Sequence, residues 1–411
     1  MKEAEFVEKI QALGGKVYIV GGWVRDKIRK AAPHDKDYMV TGVEETAFEC
    51  AFPHAKRVGK AFPVYLVDID GEMEEVAFAR REKKTGRGYK GFTMFYDPSI
   101  SVEDDLIRRD TRINSMAMEL PHYGLIDPFH GEADIRERKI CATSEHFPED
   151  PVRALRAARQ AAQFGFQITN ETYAAMQACK EDLAFEPEER IYHELVRALA
   201  TDKPSIFFLA LKKAELLDVT FPELFALVGK SQPVAFHPEG DAFNHTMLVV
   251  DAVAAETDSI RARFAGLVHD LGKGTTPREM LPHHYGHEVR GLAVLARWNA
   301  RMTLPKVLLE AGRLVIKEHM RATIMTKVGK QAKLLLKIAR STMKLEDFNA
   351  VIRADSHGLP SYLEQGAKYI KIMQAIDGCS APKELKGPAI GRWIEHQQIK
   401  AFQRARQSGE K

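Results

Sequence analysis

The chain has 411 residues, 45% of them hydrophobic, a length that calls for two to four packed units rather than one core. Sixty Lys and Arg against 57 Asp and Glu leave a formal charge of only +3, so the chain is not a generally basic nucleic-acid binder and any RNA surface must come from local clustering. Cys50, Cys141, Cys179 and Cys379 are scattered without a CxxC pair, which argues against a zinc ribbon or a disulfide framework and points to a reducing cytoplasm.

The N-terminal MKEAEFVEKIQALGGK is amphipathic and acidic, unlike an export signal, and no stretch approaches the roughly eighteen apolar residues of a membrane span. Short β-rich runs follow: VYIV (17–20), DYMV (37–40), VYLVDI (64–69) and EEVAFAR (74–80). Helical patterns such as VRDKIRKA and EETAFECAF separate them, predicting a small α/β sheet domain. From about residue 101 the β signal fades. ISVEDDLIRRDTRINSMAME, PVRALRAARQAAQFG, NETYAAMQACKEDLA and ERIYHELVRALA carry apolar residues at helical spacing, so the remainder is expected to be almost entirely helical. TSEHFPEDP and AFEPEE mark helix starts, with Pro151 as a first helical residue. The looser LVGKSQPVAFHPEGDAFNH (227–245) is the best candidate boundary, placing the last domain from about 236; no repeat or low-complexity tract occurs.

Asp35 and Asp37 lie one residue apart where the chain enters DYMV, and strand alternation points both carboxylates to one face with Lys36 facing away. Two carboxylates side by side repel, and a Mg²⁺ ion resolves the conflict. Magnesium bound there would activate an attacking hydroxyl and stabilise departing pyrophosphate. A bare DxD also occurs on solvated turns, so context decides. Upstream, VYIVGGWVRD places Gly21 and Gly22 between a strand and a helix, a phosphate-binding corner in which Arg25 either contacts a triphosphate or pairs with Asp26.

GGWVRD followed by HDKDYMV resembles the N-terminal pattern of class II tRNA nucleotidyltransferases and the related bacterial poly(A) polymerases. FARREKKTGRGYKGF, LIRRDTRINSMA, EDPVRALRAARQAAQFGF and EERIYHEL resemble that family's later motifs in the same order, over roughly residues 17 to 200. FARREKKTGRGYK carries Arg80, Arg81, Lys83, Lys84, Arg87 and Lys90 against Glu82, with Gly86 and Gly88 for flexibility, and reads as a mobile basic loop gripping the growing primer end. Glu75 is either a third acid near the metals or a surface strand residue. The resemblance assigns Arg109 to the nucleotide, with Asp110 and Asn114 shaping its pocket. Arg153, Arg156 and Arg159 recur at three-residue intervals and form one basic helix face. Within the family, the stretch matching Glu149, Asp150 and Arg153 acts as a protein template, Asp150 and Arg153 reading the CTP or ATP base. A carboxylate accepts from the exocyclic amino group that C and A share, and arginine donates to ring nitrogen or carbonyl oxygen. Capping and ion pairing are the alternatives for these residues. Ser115 and Trp23 depart from the family's usual small residues at their positions.

The C-terminal half concentrates metal-ligand types: His245, His269 and Asp270 in LVHDLGKG, His283, His284, His287, His319 and Asp355. His245, His269, Asp270 and Asp355 are expected to bind a divalent transition metal, and GLVHDLGKG resembles the core of the HD phosphohydrolase superfamily; His287 and His319 are candidates for a second ion. A degenerate HD fold kept for tRNA docking is the alternative.

The expected architecture is α+β: a polymerase-β-type nucleotidyltransferase head with a small mixed sheet (1–140), a helical neck and body with the base-recognition helix (141–235), and an all-α HD-type domain with a C-terminal tRNA-binding tail (236–411). The expected function is addition or repair of the 3′-terminal CCA of tRNA from CTP and ATP. Asp35 and Asp37 hold Mg²⁺, and Gly21, Gly22, Arg25, Arg109, Asp110, Asp150, Arg153, Arg156 and Arg159 bind nucleotide. Phosphatase or 2′,3′-cyclic phosphodiesterase activity in the HD domain would be secondary. The rivals are a CC-adding, A-adding or poly(A) polymerase of the same family, or an HD phosphohydrolase with an RNA-binding N-terminal part.

Overall fold

The computed structural model describes all residues except His34, 59–62, Thr85, 87–91, His357 and 410–411. Its contacts divide the chain into one unit of residues 1–194 with 209–220 and another of residues 195–208 with 221–411.

The first unit is built on a mixed sheet of β1 (Lys16–Val20), β2 (Asp37–Thr41), β3 (Lys56–Arg57), β4 (Val64–Ile69), β5 (Glu72–Phe78), β8 (Ala117–Glu119) and β9 (Gly124–Ile126), in the order β3-β4-β5-β2-β1-β8-β9. Only β2 and β5 run parallel; the other neighbours are antiparallel. The β-branched VYIV run makes β1 an interior strand, between β2 and β8 and buried on both faces. Val17 and Ile19 join Val40, Val76, Phe78 and the N-terminal helix Glu3–Ala12 on one face, while Tyr18 and Val20 join Met39, Ala79 and Ala117 on the other. That period of two is the reason the four sequence-predicted runs appear as β1, β2, β4 and β5.

Two expectations for residues 80–126 are corrected. Arg80–Lys84 is a strand, β6, that pairs antiparallel with β7 (Phe92–Tyr96), so the first part of the expected mobile basic loop is a hairpin arm. Arg87, Gly88 and Lys90, and the side chains of Lys83 and Lys84, lie outside the described residues. The stretch ISVEDDLIRRDTRINSMAME holds one short helix, Val102–Leu106, closed by a capping box between Ser101 and Asp104, and then a 3₁₀ turn, Arg112–Asn114. MAME leaves the helical pattern because β8 completes the hydrogen bonding of β1, burying Met116, Ala117 and Met118.

Beyond the sheet, the helix Val152–Phe164 follows Pro151 and stops at Gly165, whose φ of 64° suits glycine. The second unit contains no named strand among its described residues. Its principal helices are Ala242–Glu256, Ile260–Val268, His287–Met302, Lys306–Ile324, Val328–Ala339, Leu345–Ser356 and Pro388–Gly409. They enclose a core in which Val253, Ala265, Val315, Leu335, Phe348 and Phe402 are buried. The segment 227–245 belongs to this unit: Asp241 caps the helix from Ala242 and also accepts from the Gly229 amide, 2.7 Å away. No helix is long and apolar enough to cross a membrane.

Candidate functional site

At the end of β1 the chain turns through Gly21, with φ of 73° and ψ of −130°. A Cβ there would stand 3.2 Å from Arg109 Nη1, a tight contact, and 3.7 Å from Asp37 Oδ2, an ordinary one, so the positive φ rather than crowding is what calls for glycine. Asp37 opens β2 opposite Val20 of β1 and in register with Glu75 of β5, which sets the two acids side by side on parallel strands. Crowding at this sheet end pushes the Asp37 carboxyl up; Arg109 opposes, and the negative charges of Glu75 and Asp35 push it further. Asp35 stands just before the strand, exposed. Lys36 turns away from the pair, its Nζ 2.7 Å from Glu3 Oε1, and the hydroxyls of Tyr38 and Tyr123 also donate to that carboxylate. Among the described residues, Asp35, Asp37 and Glu75 accept no hydrogen bond and form no ion pair. These are three hard oxygen donors whose like charges repel one another, the donor chemistry that suits Mg²⁺.

Asp37 lines a cavity of about 460 Å³ together with Gly21, Gly22, Arg25, Arg109, Asp110, Asp150, Arg153, Arg156 and Arg159; Asp35 does not line it. Carboxylates in and beside the cavity hold its arginines. Asp105 accepts from Arg108 and from Arg109 (Nη2 to Oδ2, 3.0 Å). Burial alone would raise its pKa, but the two guanidiniums win and hold it at about 2. Asp110, buried likewise, is held well below the carboxylate range by Arg156, whose Nε donates at 2.6 Å, with Gln160 and Asn114 adding donors at 3.0 Å each. Arg25 forks onto Asp26 and reaches Asn114 Oδ1 at 2.7 Å, so it keeps the pairing expected from its neighbour while still lining the cavity. Arg153 is 5% exposed, donates to the His146 carbonyl and lies 3.6 Å from Glu82. Asp150 accepts from Arg190 at 2.9 Å, and Arg159 donates to Glu194 at 2.6 Å.

Sequence reasoning gave no individual role to Asp105, Glu82, Gln160, Arg190 or Glu194, although Gln160 lies in EDPVRALRAARQAAQFGF and Arg190 and Glu194 in EERIYHEL, two of the motifs that carry the resemblance. Asp105 had a local signal, since Arg108 and Arg109 follow it by three and four residues. The partners of the others stand 26 to 50 positions away, so which side chain each would hold was not legible.

In the second unit, His245, His269, Asp270 and Asp355 meet. His245 Nε2 lies 3.0 Å from Asp355 Oδ1, His269 Nε2 lies 3.1 Å from Asp270 Oδ2, and His269 Nε2 is 3.5 Å from Asp355 Oδ1. On the other side of Asp270, its Oδ1 faces His287 Nε2 at 3.3 Å and His319 Nε2 at 3.5 Å. The far nitrogens are tied down: Nδ1 of His269, His287 and His319 lie within hydrogen-bond range of the carbonyls of Gly266, His284 and Val315, and Nδ1 of His245 lies 2.7 Å from Glu239. The Nε2 lone pairs are thereby aimed inward. Both Asp270 oxygens and His269 Nε2 are buried without a hydrogen-bond partner of normal geometry, although Lys273 Nζ forms an ion pair with Asp270 Oδ2 at 2.6 Å. Burial opposes a charge on His269, yet Asp270 and Asp355 lift its pKa to about 10. Asp270 belongs to two such groups, one with His245 and His269 and one with His287 and His319. His283 and His284 stay out of both, His284 being engaged by Thr276 and the Ser231 carbonyl.

The Poly A polymerase head domain family matches residues 17–141, the probable RNA and SrmB-binding site of polymerase A matches 165–227, and the HD domain matches 242–381. The chain is 37% identical over 404 residues to a multifunctional CCA protein of Acinetobacter baylyi, covering 94% of this chain and 96% of that one. It belongs to the multifunctional CCA protein family. A second member, from Ralstonia nicotianae, is 43% identical over 74% of this chain and 72% of its own. Among solved structures, the Bacillus stearothermophilus CCA-adding enzyme in complex with CTP aligns with a TM-score of 0.66 at 22% identity, covering 99% of this chain and 92% of that one. The Thermotoga maritima CCA-adding enzyme complexed with tRNA aligns at 0.63 and 19%, covering 97% and 90%. The fold of this chain is therefore the expected one: a polymerase-β-like head with a mixed sheet, then a helical body. Both the head and the HD domain are of metal-dependent types.

Proposed function

We propose that this chain builds or repairs the 3′-terminal CCA of tRNA from CTP and ATP without a nucleic-acid template, in the cytoplasm. The observation that carries the reading is Asp37, set beside Glu75 at the sheet end without a hydrogen-bond partner among the described residues and lining a cavity walled by arginines. Asp35 and Asp37 would hold Mg²⁺, which supplies activation of the primer 3′-hydroxyl and charge neutralisation of the pyrophosphate. Gly21 and Gly22 give the triphosphate close backbone approach, while Arg25, Arg109, Arg156 and Arg159 supply its counter-charge. Asp110 orients Arg156. Asp150 and Arg153 read the base, with Arg190 fixing the Asp150 carboxylate for that task. Residues 1–140 serve as catalytic head, 141–235 as neck and body, and 236–411 as HD domain and RNA-docking tail. Purified protein given CTP, ATP and tRNAs ending before CCA, CA or A should complete all three. Stopping after CC, adding only the final A, or extending a homopolymer would assign it to one of the narrower activities.

A second activity is supported by a separate observation, the convergence of His245, His269, Asp270 and Asp355 with His287 and His319 around orphaned buried atoms. One or two divalent transition metals there would supply hydroxide for phosphomonoester or cyclic phosphodiester hydrolysis. Hydrolysis of a 2′,3′-cyclic nucleotide that vanishes in Asp270→Asn tests it.

A further inference from the structure

The second unit contains a cavity of about 1140 Å³ that neither site uses. It is bordered by Arg313 and Lys317 on the helix Lys306–Ile324, and by Lys333, Lys337 and Arg340 at the helix Val328–Ala339 and its cap. The concentration of charge there is local. Residues 306–344 hold ten Lys and Arg against two Glu, a surplus of eight in a chain whose total is only +3.

The two acids at the rim are already taken: Glu310 lies 3.8 Å from Lys306, and Glu395 pairs with Lys333. Lys337 is held by Glu318 at 2.7 Å. Arg313, Lys317 and Arg340 are exposed and have no acidic partner among the described residues. Three uncompensated cations around an apolar floor that includes Leu314 and Leu336 form an anion-attracting groove.

Its shape selects the kind of anion. Cations four residues apart on a helix stand about 6 Å apart along its axis, so each helix presents a ladder of charge rather than a point site. A ladder suits a chain of phosphates better than one small anion. No aromatic side chain lines the groove, which removes the stacking that single-stranded bases require and leaves backbone recognition, the mode by which helical RNA is bound.

We propose that this groove docks the phosphate backbone of a helical RNA arm through Arg313, Lys317 and Arg340. The reading rests on the tRNA substrate proposed above for the identity of that RNA, though not for the binding itself.

The test is binding of a tRNA transcript lacking CCA to full-length protein across a salt series, with the triple variant R313E/K317E/R340E. All three side chains are exposed, and retained circular dichroism and metal content check the fold; R313Q/K317Q/R340Q serves if the reversal does not fold. The variant should bind at least about tenfold more weakly, and its dependence of log affinity on log salt should flatten by about two to three. KM for tRNA should rise while KM for CTP and kcat hold. R313K/K317R/R340K should behave as the unaltered protein. Unchanged affinity and salt slope in the charge-reversed protein overturn the proposal, as does a change confined to self-association, which would mark the groove as a contact between copies. If the unaltered protein adds no nucleotide yet its RNA binding responds as described, the groove stands and the polymerising function falls.

Discussion

The transferase cavity and the histidine cluster both centre on aspartates, yet they are built on opposite plans. In the head, Asp35, Asp37 and Glu75 stand at an open sheet end without partners, while the arginines around them are tied by Asp105, Asp110 and Glu194. In the HD unit, the acid itself is sealed: Asp270 is 1% exposed, and the imidazoles aimed at it are locked through their far nitrogens to backbone carbonyls and Glu239. The difference teaches that the head leaves its carboxylates open to further ligands, whereas the HD unit has already gathered imidazole and carboxylate donors around one buried acid.

The sharpest way to break that contrast is to remove one acid from each side. Asp37→Asn should lower nucleotide addition by about 10³-fold, several kcal/mol of lost charge stabilisation, with tRNA binding intact. Asp270→Asn should empty the HD unit of tightly held metal, read by elemental analysis, and leave CCA addition at its starting rate. If either variant abolished both activities, the two sites would not be independent.

The ties that hold the arginines come next. Asp110→Asn removes the charge that Arg156 faces and should cost about 2 kcal/mol in urea unfolding, while raising KM for CTP. Asp105, with a pKa near 2 against an ordinary 3.8, stabilises the fold fully above the ordinary value, and that contribution is lost as pH falls through about 2. Asp37 has the opposite sign: its raised pKa means the carboxylate is lost earlier on acidification. The acid limb of the addition rate should therefore sit above that of an ordinary aspartate and move when Glu75→Gln removes a neighbouring charge. The smallest effect concerns Glu3, which anchors Lys36 between the two aspartates. Glu3→Gln should raise the Mg²⁺ concentration for half-maximal rate by about tenfold at most, without touching HD-site metal.

What the sequence disclosed follows the same division. β1, β2, β4 and β5 were legible because β-rich runs carry their own signal, and the Gly21–Gly22 corner and the Asp35–Asp37 pair were legible because both lie within residues 21–37. β8 was not, since MAME becomes a strand only when β1 offers it an edge. Among the site residues, motif spacing suggested Asp35, Asp37 and the arginine face of Val152–Phe164. The ties of Asp110 to Gln160 and of Asp150 to Arg190 cross 50 and 40 residues and exist only in the folded chain. The cations at 313, 317 and 340 were hidden for another reason: a total charge of +3 averages away a local surplus.

The central claim is that the acids of the head bind the cation that drives polymerisation. It is tested most directly by measuring pyrophosphate release from CTP, on tRNA ending before CCA, as Mg²⁺ is titrated into the unaltered protein and Asp37→Asn. Saturable Mg²⁺ dependence in the former and near-zero release at every concentration in the latter is the predicted result. Full release in the presence of excess chelator, or an Asp37→Asn curve that overlays the other, would contradict it.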